Sequence, residues 1–245
     1  MAGNLVRDLQ ERAARALPAD HVERSGGWWL RHAPGCSWWA GSVLPHGESD
    51  VAHGVAAAEK FHAARGTPAR FQITPGACPG DLDAYLAGRG YRRESPMSLR
   101  VAPTAGISDR VAGRVVLTGR PERAWFGAWH SLLGDGSEPA AEWDLLARVE
   151  LPSAYARAMA GDQVVAVGRA VADSGWAGLF GMATIPRARG TGAARTVLAA
   201  LATWAHTQGA DQLYLQVERD NAPAVRLYER AGFTELAAYH YRVSS

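Results

Sequence analysis

The sequence predicts an α/β fold of the mixed α+β kind, with helices flanking twisted sheets whose strands pair in both directions. Three observations carry this. Ala194, Val197, Leu198, Leu201 and Ala205 recur at i, i+3, i+4, i+7 spacing, which makes TGAARTVLAALATWAHTQG an amphipathic helix ending at Gly209. Ahead of it, AYARAMAGDQVVAVGRAVADSGWAGLFGMATIP holds three strand-like runs separated by turns at Gly161-Asp162 and Asp173-Ser174-Gly175, an antiparallel meander. Behind it come the strand QLYLQV, a helix over 222–231 stopped by Gly232, and strands within FTELAAYHYRV, an order that implies partly parallel pairing.

The first half follows a looser version of the same grammar. MAGNLVRDLQERAARAL is an amphipathic helix, WWLRHA and SWWAGSVLP are expected strands, and AAAEKFHAARG is a helix ending at Gly66. The strand RFQITP, a helix in GDLDAYLAGRGYRRE and the strand SPMSLRVA complete it. The pairs Trp28-Trp29 and Trp38-Trp39 would each place one ring on either face of a strand, so at least one face must be covered. Beyond the Pro/Gly/Ser-bearing stretch 103–113, VVLTG is a strand, and PERAWFGAWHSLL and AEWDLLARVE are helices.

Similar segments recur in the same order. AAAEKFHAARG, RFQI and YLAGRGY are echoed by VLAALATWAHTQG, LYLQ and LYERAGF, which points to duplication. The expected organisation is therefore an N-terminal domain over 1–102, a linker over 103–113 and a C-terminal domain over 114–245.

Composition narrows the function. With 26 basic and 24 acidic residues and no block of like charge, the chain calls for neither nucleic acid nor an anionic membrane. No apolar run is long enough to cross a bilayer, and the N-terminus is unlike a secretory leader. Cys36 and Cys78 form no redox or zinc pattern, which fits a reducing cytoplasm, and the eight histidines show no metal-binding spacing, so no metal is expected.

The sharpest local feature is the passage from GLFGMATIP through RARGTGA into a helix. The first amides of a helix lack intrahelical acceptors and lie at the positive end of its dipole, so Gly190, Thr191, Gly192, Ala193 and Ala194 suit phosphate oxygens, and the glycines allow close approach. Arg187, Arg189 and Arg195 add cationic reach, or are simply solvated. Such a turn alone is weak evidence, since unrelated nucleotide sites and structural turns share it.

Downstream context sharpens it. RARGTG meets the pattern (Q/R)xxGx(G/A) at Arg187, Gly190 and Gly192, and NAPAVRLYERAGF meets NxxAxxLYxxxGF at Asn221, Ala224, Leu227, Tyr228, Gly232 and Phe233. In these two motifs the chain resembles the GNAT superfamily of N-acetyltransferases, most clearly over residues 164–243. The resemblance implies two tandem GNAT-like domains, the first degenerate. It further implies a C-terminal sheet splayed between its fourth and fifth strands, with acetyl-CoA pyrophosphate on the loop and pantetheine in the splay. Met182, Ala183 and Thr184 would then line the acyl group, a strand amide would bond the thioester oxygen, and Tyr228 would protonate the departing thiolate.

Several roles stay open between function and structure. Tyr228 also suits core packing, and Asn221 is equally a pantetheine contact or a helix cap. Glu218, at the end of LYLQVE, is a candidate base beside Glu142, Glu150 and Asp173, or water alone serves. Trp125, Trp129 and Trp143 either line an acceptor pocket or pack the core. In the first half the segment LPHGESDVAHG lacks the paired glycines and carries Glu48 and Asp50 where an anion would sit, so a single cofactor site is expected. The expected activity is acyl transfer to a primary amine of a small molecule or peptide, by a monomer or homodimer. A non-catalytic acyl-CoA-binding scaffold and an aminoacyl-tRNA-dependent transferase are the alternatives.

Overall fold

The computed structural model describes residues 2–47, 50–107, 113–134 and 136–244. Glu48 and residues 108–112 of the expected linker lie outside them. By its contacts the chain divides into two units, and the division does not follow one cut in the sequence: residues 1–99, 217–221 and 235–245 form the first, residues 100–216 and 222–234 the second.

The first unit begins with helix α1 (Ala2–Ala16) and the hairpin of β1 (His21–Ser25) and β2 (Trp28–His32). Then come α2 (Val51–Ala63), β3 (Arg70–Ile73), α3 (Leu82–Gly88) and most of β4 (Arg92–Pro103), and strand β10 (Thr234–Val243) returns from the far end of the chain to pair antiparallel with β3. FTELAAYHYRV is thus one strand. It is pinned from the side by Asp83, which accepts from Arg242 Nε at 2.7 Å and lies 2.9 Å from His240 Nε2. Burial would raise the Asp83 carboxyl, but its hydrogen bonds from Arg242 and His240 outweigh that and hold it below the usual carboxylate range.

Trp28 and Trp29 are both buried, one on either face of β2. Trp28 packs with Val55 and Phe71 in the main core, and Trp29 packs with Ala14 and Leu44. The second pair departs from expectation, because Trp38–Gly41 is a 3-10 turn and not a strand. The cause is Arg31, whose buried guanidinium donates from Nη2 to the Trp39 carbonyl at 3.0 Å and from Nε to the Ser42 carbonyl at 2.9 Å. These bonds satisfy backbone acceptors that a neighbouring strand would otherwise serve.

The second unit holds β5 (Arg114–Thr118), α4 (Arg123–Leu133), α5 (Pro139–Ala147), β6 (Ser153–Ala160), β7 (Gln163–Asp173), β8 (Trp176–Thr184), α6 (Ala193–Thr207), most of β9 (Gln212–Glu218) and α7 (Ala222–Arg230). Strands β5 to β8 pair antiparallel in succession, and β9 pairs parallel with β8 after the α6 crossover. Tyr155, Arg169 and Phe180 are directly opposed across β6, β7 and β8 and share one face. Trp125 of α4 sits on Tyr155, with ring centroids 4.9 Å apart, so α4 covers that face. Gly168 faces the other way, toward Val197 and Leu201 of α6.

Four helices end in the same motif. After α2, α3, α6 and α7 a glycine with positive φ (Gly66, Gly90, Gly209, Gly232) donates to the carbonyl three residues back, and the next residue donates five back. This Schellman geometry closes the last turn with a residue that tolerates left-handed backbone. α2 and α3 thus close with the same hydrogen bonds as α6 and α7.

Glu11 of α1 supports the first unit by accepting from Arg7 Nε at 2.9 Å and lying 3.0 Å from His46 Nδ1. Burial opposes its ionisation, but the bonds from His46 and Arg7 prevail and bring its carboxyl from 4.5 to about 2. A depressed carboxylate contributes stability above its unfolded value and loses it as pH falls toward its folded value. Glu11→Gln is therefore expected to lower the melting temperature by a few degrees at neutral pH, with the two proteins converging as pH drops from about 4.5 to about 2. Thermal unfolding across that range is the check, and a gap independent of pH would contradict it.

Candidate active site

Strand β8 changes character along its length. Its pairing with β9 runs from Trp176–Gln212 to Leu179–Leu215, whereas β8 itself continues to Thr184. Ala177, Gly178 and Leu179 are buried, but Met182, Ala183 and Thr184 are half-buried. Toward β7 the register shifts: Val167 opposes Ala183 and Arg169 opposes Phe180, so Gly168 alone faces both Gly181 and Met182. This is a β-bulge, and Gly181, at φ 59°, occupies the left-handed conformation it requires. The bulge and Gly168 were not singled out in the sequence, although a glycine inside a strand pattern is a signal for such a feature.

The loop after β8 is held by its own backbone. Ile185 N donates to Val165 O at 3.1 Å, a 3-10 turn covers Pro186–Ala188, and Thr191 Oγ1 donates to Ala188 O at 2.8 Å. Gly190 (φ 79°) and Gly192 (φ 92°) then swing the chain into α6, where Thr196 N donates to Gly192 O at 3.0 Å. Gly192 is the N-cap and supplies no side-chain acceptor. Among the described residues no backbone carbonyl meets the N–H groups of Ala193, Ala194 or Arg195. Arg187, Arg189, Gly190, Thr191 and Arg195 are exposed beside them. Open amides, the helix dipole and three arginines thus converge on one turn, a ready seat for an anion.

The corresponding start of α2 differs. Asp50 is its N-cap and its own carboxylate accepts from His53 N at 2.7 Å. That helix carries its anion in its sequence.

Tyr228 lies in the last turn of α7, where its carbonyl accepts from Phe233 N at 2.9 Å and its ring meets the Phe233 ring edge-on at 5.7 Å. The Leu-Tyr and Gly-Phe of the motif are therefore one capping unit, and Gly232 and Phe233 lock the tyrosine. The ring is buried, yet the hydroxyl makes no hydrogen bond among the described residues and is not sealed from solvent. Burial pushes the hydroxyl well above its ordinary value, so it holds its proton at neutral pH. In the equivalent place on α3, the residue whose carbonyl accepts from Tyr91 N is Leu86.

The remaining candidates are dispersed. Glu218 is exposed at the end of β9, and Asn221 is exposed immediately before α7. Both fall in the short segment whose contacts group it with the first unit. Glu142 is buried in α5, Glu150 is exposed, and Asp173 at the end of β7 accepts from Ser174 Oγ at 3.0 Å. Trp125 and Trp129 are buried in α4, and Trp143 meets Phe126 edge-on at 5.3 Å with Arg123 over its other side. No group of His, Cys, Asp and Glu among the described residues is arranged to hold a metal, and no described helix is long and apolar enough to cross a membrane.

Comparison with known proteins follows this outline. A family model described as "Probable histone acetyltransferase Rv0428c C-terminal" matches residues 4–242. The chain is 27% identical to "Uncharacterized N-acetyltransferase YobR" of Bacillus subtilis, over 97% of this chain and 98% of that protein. It is 31% identical to "Probable histone acetyltransferase Rv0428c" of Mycobacterium tuberculosis, over 93% of this chain and 70% of that protein. Among solved structures, a GCN5-related N-acetyltransferase from Kribbella flavida superposes with a TM-score of 0.73 at 16% identity, covering 100% of this chain and 95% of that one, a likeness of fold. A family match spanning nearly the whole chain, together with two acetyltransferase relatives, makes this protein an acetyltransferase enzyme belonging to the GNAT superfamily.

Proposed function

We propose that the enzyme transfers an acetyl or other short acyl group from acyl-CoA to a primary amine of a small molecule or peptide, by direct attack and at one site per chain. The observation that carries this is the contrast between two equivalent helix starts. At α6 the first amides are open and preceded by two left-handed glycines. At α2 the same position is filled by the Asp50 carboxylate, which would repel a phosphate. The pair of matching helix closures supports the reading of two tandem GNAT-like halves, the first without a cofactor loop.

In this reading the pyrophosphate of acetyl-CoA rests on Gly190 to Ala194, with Arg187 and Arg189 as counter-charges. The end of β9 pairing at Leu179 supports a splay between the fourth and fifth strands of the second unit, where the pantetheine arm would enter. Met182, Ala183 and Thr184 then line the acyl group, and an amide of that strand stabilises charge developing on the thioester oxygen. Tyr228 holds its proton until the thiolate leaves, Asn221 contacts the pantetheine arm, and Glu218 or water accepts the amine proton. Trp125 and Trp129 are buried against the sheet, which favours their packing role over an acceptor pocket. We read the enzyme as cytoplasmic and as a monomer or homodimer, and its near-neutral charge calls for neither nucleic acid nor an anionic membrane.

Calorimetry should register one acetyl-CoA site per chain, abolished by Gly192→Asp, which brings a carboxylate to the α6 amides and a side chain to a left-handed residue. Two sites per chain, or retained binding, would overturn the single-loop reading. Tyr228→Phe keeps the ring that packs on Phe233 and removes only the hydroxyl. It is expected to leave the melting temperature within a degree or so while slowing turnover of any amine found to be acetylated by about 10²-fold. Equal turnover would reduce Tyr228 to packing.

A further inference from the structure

The bulge in β8 is gripped from α4. Trp129 occupies the space that a side chain at Gly181 would need: a methyl group there would stand 2.8 Å from its Nε1 and 3.0 Å from its Cδ1. Trp125 donates from Nε1 to the carbonyl of Gly168, the residue opposite the bulge, at 3.0 Å. The two indoles stack on each other, 5.8 Å between centroids and 10° between planes, and Trp125 is braced from below by Tyr155. On the opposite face a methyl group on Gly168 would overlap Met182 Sδ and crowd Val197 Cγ1 of α6. Both strands of the bulge are therefore held from α4, one by Trp129 and the other by Trp125, while the Met182 sulfur lies over Gly168 on the opposite face.

A bulge redirects the amides that follow it, because the extra residue turns the strand relative to its neighbour. Those amides belong to Met182, Ala183 and Thr184. We propose that Trp125 and Trp129 are positioning residues, whose stacked indoles clamp the Gly181–Met182 bulge and thereby hold the β8 amides in the direction that meets the acyl carbonyl. This rests on the reading of β8 as the strand facing the thioester. The clamp acts on the direction of a backbone donor and leaves the phosphate loop untouched. Its effect should therefore fall on recognition of the acyl group and not on recognition of CoA.

The test is calorimetry on the full chain with acetyl-CoA and with CoA. The unaltered protein is expected to favour acetyl-CoA by about fivefold, the worth of one aligned neutral hydrogen bond. Trp125→Phe, which removes the indole donor, and Trp129→Phe, which loosens the grip on Gly181, should bring the ratio toward one with the affinity for CoA changed less than about twofold. Leu145→Val, a buried change on α5, should lower stability and keep the ratio. Should a tryptophan replacement unfold the chain, Gly181→Ala displaces the bulge from the strand side and should give the same loss of preference. Parallel loss of both ligands, an unchanged ratio, or equal affinities in the unaltered protein would overturn the clamp. Failure of the unaltered protein to bind either ligand would overturn the CoA-site reading, and the clamp with it.

Discussion

Gly168 is the point at which the second unit is tightest, and its missing side chain is the constraint on which the arrangement depends. On one face Val197 and Leu201 of α6 and the Met182 sulfur fill the volume a Cβ would take, and on the other the Trp125 indole reaches the Gly168 carbonyl. Glycine inside a strand costs roughly 0.5–1 kcal/mol relative to alanine. That cost is offset by close packing of three elements and by a buried hydrogen bond worth about 1 kcal/mol. The register shift between β7 and β8 falls at the same residue.

The second organising fact is a repeated helix closure that carries different chemistry in its two copies. α3 and α7 both end in a Schellman turn whose final residue packs back on the helix, Tyr91 near Leu86 in one and Phe233 on Tyr228 in the other. One copy presents a hydrocarbon at that position and the other a proton donor. At the helix starts the difference is electrostatic: the Asp50 carboxylate accepts from an amide of α2, whereas Gly192 offers those of α6 no side-chain acceptor.

Much of this was legible in the chain itself. The 3.6-residue periodicity of 194–205, the meander with its two turns and the glycine stops at Gly66, Gly209 and Gly232 each depend on contacts within a few residues, so they survive removal of tertiary context. The strands and helices of the second unit follow that reading closely. The loop 187–194 and the block 221–233 were equally visible, because phosphate binding and helix capping use backbone geometry that glycine, asparagine and aromatic residues specify locally.

What tertiary structure alone decided lies in contacts between distant segments. Trp38 and Trp39 look like strand residues, but they form a turn whose Trp39 carbonyl, with that of Ser42, accepts from the buried Arg31 guanidinium. Strand β10 pairs with β3, some 160 residues away in sequence, since an exposed strand edge is satisfied by whichever partner the fold brings alongside. The bulge at Gly181 lies against the Trp129 indole of α4, a contact between segments some fifty residues apart. Sequence by itself determined the local elements and the loop through short-range backbone preferences, and its two motifs carried the resemblance to the family. Only the folded chain decided which strand completes which unit and where β8 bulges, because both are settled by packing between residues that no local pattern links.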